Sequence, residues 1–287
     1  MVVFTYSNVK EVSKAEIVII GVPDETKSHS KRKGTSKGPD VLRMVTNESN
    51  FFERDGSIIP IWPMRGNLNE KYILDYGNVN RDELYRIVFH LVSNNKIPIV
   101  IGGDHSITTI ILQAIGDSIG KIGLLYFDAH PDFVSSTTDY YGSVLTDSAE
   151  WIDFNESLLI GTRSAETEEL ENAQKSEIEI ITPLDINEKG ISKIMDKVKS
   201  KYNRRRKYIS IDLDCLDPAY APGVSVPSAG GISSIDLITL IKQAVSLGIV
   251  GMDIVELSPD FDVNNTTSLL TSRILLESIA SIKSSQS

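Results

Sequence analysis

The sequence predicts a single α/β domain, residues 1–287, built on a parallel sheet covered on both faces. Three observations predict it. Short apolar, β-branched runs alternate with helical patterns along the chain. The runs are apolar throughout rather than at every second residue, which is the signature of strands buried on both faces. No linker, internal repeat or low-complexity block divides the chain, and 287 residues suit one large domain. A closed (β/α)₈ barrel gives a similar alternation and stays open on pattern alone.

The strand candidates, in order, are residues 17–21, 97–102, 122–127, 158–161, 178–181, 208–213 and 249–255. Helical patterns fall at 38–45, 81–93, 106–115, 191–202 and 233–247, and a last helix is expected over 267–282. Residues 25–37, rich in Ser and Lys, are expected to form a mobile surface loop that borders the active site.

Composition narrows the function classes. The chain is 41% hydrophobic and 24% charged, with no apolar run long enough to span a bilayer. The start, Met1-Val2-Val3-Phe4-Thr5, lacks the basic and apolar regions of a signal peptide, and Cys215 is the only cysteine. A reducing cytoplasm is therefore expected. Net charge is −10, without the basic footprint of a nucleic-acid binder. The one dense basic run, Arg204-Arg205-Arg206-Lys207, reads as a solvated loop. An acidic chain favours cationic partners and metals.

Four motifs carry chemistry. In Phe127-Asp128-Ala129-His130-Pro131-Asp132 the polar residues fall at i, i+2 and i+4, one side of an extended backbone, at the carboxyl end of an apolar run. In Ser210-Ile211-Asp212-Leu213-Asp214-Cys215, Asp212 and Asp214 again share a side. Two like charges at a buried strand end are costly unless a cation compensates them. Asp217, before Pro218, is expected to shape a turn, and Cys215 to fill the core. In Gly102-Gly103-Asp104-His105 the glycines allow a tight turn, Asp104 suits a helix N-cap and His105 projects over the strand ends. Glu256 closes the apolar run before Pro259, where a carboxylate is placed to hold a planar cation.

Together these residues predict a two-metal centre of His105, Asp128, His130, Asp132, Asp212 and Asp214. Four aspartates balance two divalent cations, and an oxygen-rich set with two imidazoles suits Mn²⁺. Such a pair activates water for hydrolysis. Phosphoester hydrolysis is disfavoured, since no Gly-rich phosphate cradle is present.

These motifs, in this order, resemble the ureohydrolase family, which includes arginase and agmatinase. The resemblance runs from Gly21-Val22-Pro23 and Gly34-Thr35-Ser36-Lys37-Gly38-Pro39 to Glu256 and Pro259. It implies a three-layer α/β/α fold with a central, mainly parallel sheet, two Mn²⁺ per chain, and hydrolysis of a guanidino group to urea plus an amine. It also implies the six metal ligands above, Glu256 as the guanidinium-holding carboxylate, and a homotrimer or homohexamer.

Residues 133–139 do not match the longer loop with which arginases hold the amino-acid carboxylate. Gly161-Thr162-Arg163-Ser164 with Glu168-Glu169 resembles agmatinases. The expected substrate is thus a small guanidino cation, agmatine first, with arginine or another guanidino acid as the alternative. The family usually has a proton-shuttling histidine near Tyr141-Gly142-Ser143. Here the best placement puts Tyr141 at that position, with Gly142 the alternative; either way the histidine is absent, which leaves a catalytically weak metal-binding subunit as the rival reading. Of the four histidines, His90 reads as helical and His29, in the 25–37 loop, is the free one on a segment expected to border the site.

Overall fold

A computed structural model describes residues 2–201 and 206–283. Strand β1 (Ile17–Val22) leads into α1 (Gly38–Ser49) and a hairpin of β2 (Phe51–Arg54) and β3 (Ser57–Pro60). Next come β4 (Ile73–Asn78), α2 (Arg81–Ser93), β5 (Ile97–Gly102), α3 (Ile107–Ile119) and β6 (Gly123–Phe127). The middle of the chain forms α4 (Val144–Asp147), β7 (Leu158–Ile160), α5 (Thr167–Ser176), β8 (Glu179–Ile181), α6 (Pro183–Lys189) and α7 (Ile191–Ser200). It ends with β9 (Lys207–Asp212), α8 (Ser234–Ser246), β10 (Gly251–Val255) and α9 (Thr266–Ser281).

Among the described residues, eight strands form one sheet in the order β4-β1-β5-β10-β9-β6-β7-β8, with every neighbouring pair parallel. β4 and β8 are free edges, so the sheet is open and the barrel alternative is excluded.

The two-residue period of the strands divides the core. Ile17, Ile19, Ile99, Ile101, Ile209, Ile211, Met252 and Ile254 pack with α1 and α6 to α9. Val18, Ile20, Val100, Leu124, Tyr126 and Val255 pack with α2, α3 and α4 on the other face. The result is a three-layer α/β/α fold. Burial on both faces is why these strands read as continuous apolar runs, each large aliphatic side chain contributing about 1.5–3 kcal/mol. Among the described residues no helix is long and apolar enough to cross a membrane.

All seven expected strands are in the sheet. The edge strand β4 was not expected, because Asp75 and Gly77 interrupt its apolar pattern and the register with β1 shifts beside Ile19. The basic run is not simply a solvated loop. Lys207 begins β9 fully buried, with Nζ 2.6 Å from Glu156 Oε2. Arg204, Arg205 and Tyr202, the expected end of helix 191–202, lie outside the described residues.

Candidate metal centre and pocket

The four central strands, β5, β10, β9 and β6, are neighbours with parallel register, so their carboxyl ends open on one side. Each delivers functional residues in the turn that follows it. β5 runs into Gly103, whose backbone approaches Asp24 so closely that a Cβ would overlap the Asp24 carbonyl. Glycine is needed there for close approach rather than for an unusual φ. Asp104 is not the cap of α3, which starts at Ile107 after Ser106. Its buried carboxylate instead accepts from Ser106 N at 3.0 Å and from Lys27 N at 3.0 Å, pinning the 25–37 loop to the site.

The expected residues converge, but not through strand pleating. β6 ends at Phe127, residues 128–132 are loop, and Asp132 has φ +50°. β9 ends at Asp212, and Leu213–Cys215 is a 3₁₀ turn. Polar residues at i, i+2 and i+4 therefore meet because the chain curls over the strand ends.

Nδ1 of His105 lies 3.0 Å from Asp128 Oδ2, 3.1 Å from Asp132 Oδ2 and 3.3 Å from Asp212 Oδ2. Nδ1 of His130 lies 3.5 Å from Asp128 Oδ1 and 3.1 Å from Asp214 Oδ2. Two groups of metal-competent atoms result, one from His105, Asp128 and Asp132, the other from Asp128, His130 and Asp214. Asp128 belongs to both. Surrounding donors aim the carboxylates. Asp212 accepts from Asp214 N at 2.8 Å, Asp214 from Ala129 N at 3.0 Å, and Asp132 from the Tyr126 hydroxyl at 2.7 Å.

The protein alone does not satisfy this cluster. Asp128 Oδ2 is buried and accepts no hydrogen bond among the described residues. One imidazole nitrogen faces three carboxylates, yet carries at most one proton. Burial, reinforced by Asp132 and Asp214, pushes Asp128 up to about 7. Burial and Asp214 push Asp212 well above the carboxylate range. For His130, burial acts downward, but Asp214 and Asp128 outweigh it and push the ring up to about 12. Divalent cations would relieve the crowding of like charges and use the unpartnered oxygen, so the donor set fits a binuclear metal site.

A pocket opens above the cluster. His130, Asp132, Asp212 and Asp214 of the cluster line it, together with Glu256, Ser225, Tyr140, Tyr141, Ser164, Glu166 and Glu169. Glu256 is fully buried at φ +67°. It accepts from His105 N at 2.9 Å and from the Ser225 hydroxyl. Burial pushes its carboxyl up to about 8. Tyr141 starts a 3₁₀ turn (Tyr141–Ser143) and does line the pocket. His29 is exposed and stacks on Tyr140 at 4.8 Å, with Tyr141 edge-on at 6.1 Å. His90 sits on the exposed side of α2.

Several expected minor roles hold. Asp217 shapes its turn by accepting from the backbone N–H groups of Ala219, Gly230 and Gly231. Cys215 is buried, and burial pushes its thiol up. Arg163 has a role the sequence did not disclose. Its guanidinium donates to the carbonyls of Gly161, Asp214, Leu216, Ser228 and Ala229, clamping the Asp214 turn. Ser210 and Asp253, which stand in series behind His105, were not singled out either. A carboxylate in the middle of the apolar Gly251-Met252-Asp253-Ile254-Val255 run was the available signal.

The model described as the Arginase family matches residues 15–280. The chain is similar to agmatinase of Neisseria meningitidis serogroup C (strain 053442), with 31% identity over 278 residues, covering 92% of this chain and 86% of that one. Among solved structures it is similar to agmatine ureohydrolase of Thermoplasma volcanium, with TM-score 0.83 and 29% identity over 98% of this chain and 94% of that one. It is also similar to proclavaminate amidino hydrolase from Streptomyces clavuligerus, with TM-score 0.86 and 25% identity over 98% and 96%.

Proposed function

The chain belongs to the arginase family, and from that premise we propose that it is a manganese-dependent amidinohydrolase that converts agmatine to putrescine and urea. His105, Asp128 and Asp132 would hold one Mn²⁺, and Asp128, His130 and Asp214 the other, with Asp212 beside them. When bound, the two ions supply Lewis-acid charge that makes water nucleophilic near neutral pH.

The chain's own residues do the rest. Glu256, locked by His105 N and Ser225, orients the planar guanidinium through charge-assisted hydrogen bonds. The water oxygen bonds to the guanidinium carbon, the bond from that carbon to the substituted nitrogen breaks, and the water's two protons end on that nitrogen, which leaves as an ammonium beside neutral urea. Tyr141, on the pocket lining, relays one of them: its hydroxyl donates to the amine and takes a proton from the water in exchange. The 25–37 loop supports this wall, since Tyr141 N donates to the Lys27 carbonyl at 3.4 Å.

The charge of the pocket wall carries the substrate assignment. Apart from the proposed metal-cluster residues Asp132, Asp212 and Asp214, three carboxylates line it, namely Glu166, Glu169 and Glu256, and among the described residues no Lys or Arg does. Arg163, the nearest cation in sequence to the lining residue Ser164, is consumed by backbone carbonyls. The Ser135 and Ser136 donors are consumed by Glu168, whose carboxyl their hydroxyl and N–H groups hold down to about 2. A substrate carboxylate would find no partner here, whereas a second ammonium is favoured.

The test is urea release with Mn²⁺ across agmatine, arginine, guanidinobutyrate and guanidine. We expect kcat/KM for agmatine to exceed that for arginine by about 10²-fold or more, the scale on which a binding site rejects a mismatched group. Equal or better values for arginine or guanidinobutyrate would reassign the substrate. A second reading, a weakly catalytic metal-binding subunit, rests on Tyr141 in the shuttle position. Two bound ions with no urea from any substrate would favour it.

A further inference from the structure

Behind His105, away from the carboxylate cluster, three buried side chains are linked in series. His105 Nε2 lies 2.9 Å from Ser210 Oγ, and Ser210 Oγ lies 2.7 Å from Asp253 Oδ1. The other oxygen of Asp253 accepts from Thr108 Oγ1 and from the Tyr208 hydroxyl, both at 2.8 Å. His105, Ser210 and Asp253 are all fully buried. Among the described residues Asp253 forms no ion pair, so three neutral hydroxyls hold this carboxylate in the core. Keeping a charge there is costly, and packing alone does not require it.

We propose that Asp253 and Ser210 are positioning residues that fix the tautomer of His105 and thereby create the nitrogen that ligates metal. The proposal rests on the reading of His105 as a ligand. An ionised carboxylate only accepts, so the single Ser210 hydrogen goes to Asp253. The lone pairs of Ser210 Oγ then face His105, and Nε2 must carry the ring proton. Nδ1 is left bare, pointing at Asp128, Asp132 and Asp212. Tyr126 stacks on the same ring at 4.8 Å with an interplanar angle of 5°, which fixes its plane. The relay sets the tautomer and the stack sets the orientation, as outer-shell partners of ligating imidazoles do.

Asp253→Asn should reverse the relay. With its carbonyl kept for Thr108 and Tyr208, the amide N–H₂ faces Ser210, whose hydrogen then turns toward His105 Nε2 and drives the proton onto Nδ1. Ser210→Ala only removes the constraint and should act more mildly.

The experiment is calorimetric titration of the metal-stripped full chain with Mn²⁺, together with thermal unfolding of each metal-free variant. Asp253→Asn and Ser210→Ala should weaken one of the two ions about 10–100-fold, spare the other, and leave metal-free unfolding close to the parent. His105→Ala should abolish that same ion site. If His105→Ala still binds both ions as the parent does, the ligand reading fails. If His105→Ala loses one ion while Ser210→Ala and Asp253→Asn bind both within about twofold of the parent, the relay is overturned and the ligand reading survives. Lower metal-free stability with both affinities reduced equally would mark a merely structural role and also overturn it. Should Asp253→Asn fail to fold, Ser210→Ala decides alone.

Discussion

Asp128 stands between the two imidazoles of the site, with Oδ2 3.0 Å from Nδ1 of His105 and Oδ1 3.5 Å from Nδ1 of His130. It is the one residue common to both ligand groups. Asp128→Asn keeps the shape and removes the charge that two cations would share. Metal analysis after desalting should fall from about two Mn²⁺ per chain to fewer than one. The metal-free variant should unfold above the metal-free parent at pH 8, because a buried like charge is gone. Retention of two ions would show that neither ion needs the Asp128 charge.

Metal dependence of stability should itself depend on pH. In the metal-free protein burial, with neighbouring carboxylates, raises Asp128 from 3.8 to about 7, and burial raises Glu256 from 4.5 to about 8. Each prefers its proton in the folded state. Its contribution is fully present below the unfolded value and is lost as pH rises through the folded one. His130, raised from 6.5 to about 12 by Asp214 and Asp128 against burial, has the same sign. Asp214, lowered chiefly by His130 against burial, has the opposite sign, but its contribution is lost only at acid pH, below about 4. Chelated protein should therefore lose stability between about pH 5 and 9, and Mn²⁺ should raise Tm more at the upper end. Thermal unfolding with and without chelator reads this directly. A chelated protein that grows more stable with pH would contradict it.

Glu256 combines a left-handed φ of +67° with a fully engaged carboxylate. Strain of this kind persists when surrounding contacts over-determine it, and it clusters at functional sites. Glu256→Gln should raise KM for agmatine about tenfold or more by replacing charge-assisted hydrogen bonds with neutral ones. Initial-rate kinetics with the metals saturated would show it. An unchanged KM would move guanidinium recognition elsewhere.

Arg163 is expected to stabilise rather than select. Arg163→Met removes donors to several carbonyls at once, and charged hydrogen bonds contribute about 1.5–3 kcal/mol each where they count fully. Tm should drop by about 5 °C or more, with the agmatine-to-arginine ratio of kcat/KM unchanged. A shifted ratio at unchanged Tm would place Arg163 on the substrate.

The positions of the candidate ligands were legible in the sequence because carboxylates and imidazoles closing apolar strands violate the burial rule in a recognisable way. Asp128, Asp212 and Glu256 each follow or end such a run. Their convergence was foreseen through the wrong geometry, since local spacing does not report that Asp132 turns left-handed. Helix α5 was missed because it is nearly all polar, and what anchors it is Glu169, buried and accepting from Phe133 N at 3.1 Å and Glu166 N at 2.8 Å. The roles of Arg163 and Ser210 depend on partners distant in the chain, Arg163 on carbonyls 51 to 66 residues away besides that of Gly161, and Ser210 on a histidine 105 away. Neither could be read from neighbours in sequence.

Cleaving the guanidinium releases an amine that must leave protonated, and a positioned acid–base group is worth about 10²–10⁴-fold. Tyr141 lines the pocket, but burial and the neighbouring Glu256 and Asp132 push its phenol up to about 12. A phenol so reluctant to ionise transfers protons poorly near neutral pH, and turnover should be slow. Tyr141→His would place a group that titrates near neutrality at the same wall, and kcat should rise about tenfold or more. Tyr141→Phe should lower kcat with little change in KM. His29 does not line the pocket. It is exposed and stacks on Tyr140, so His29→Ala should leave kcat within about threefold, well short of a lost acid–base group. Steady-state kinetics of the three variants with saturating Mn²⁺ separate these roles. A fast parent unaffected by either change at Tyr141 would show that the leaving amine takes its proton from elsewhere. A large loss in His29→Ala would show that the loop carries the proton into the site.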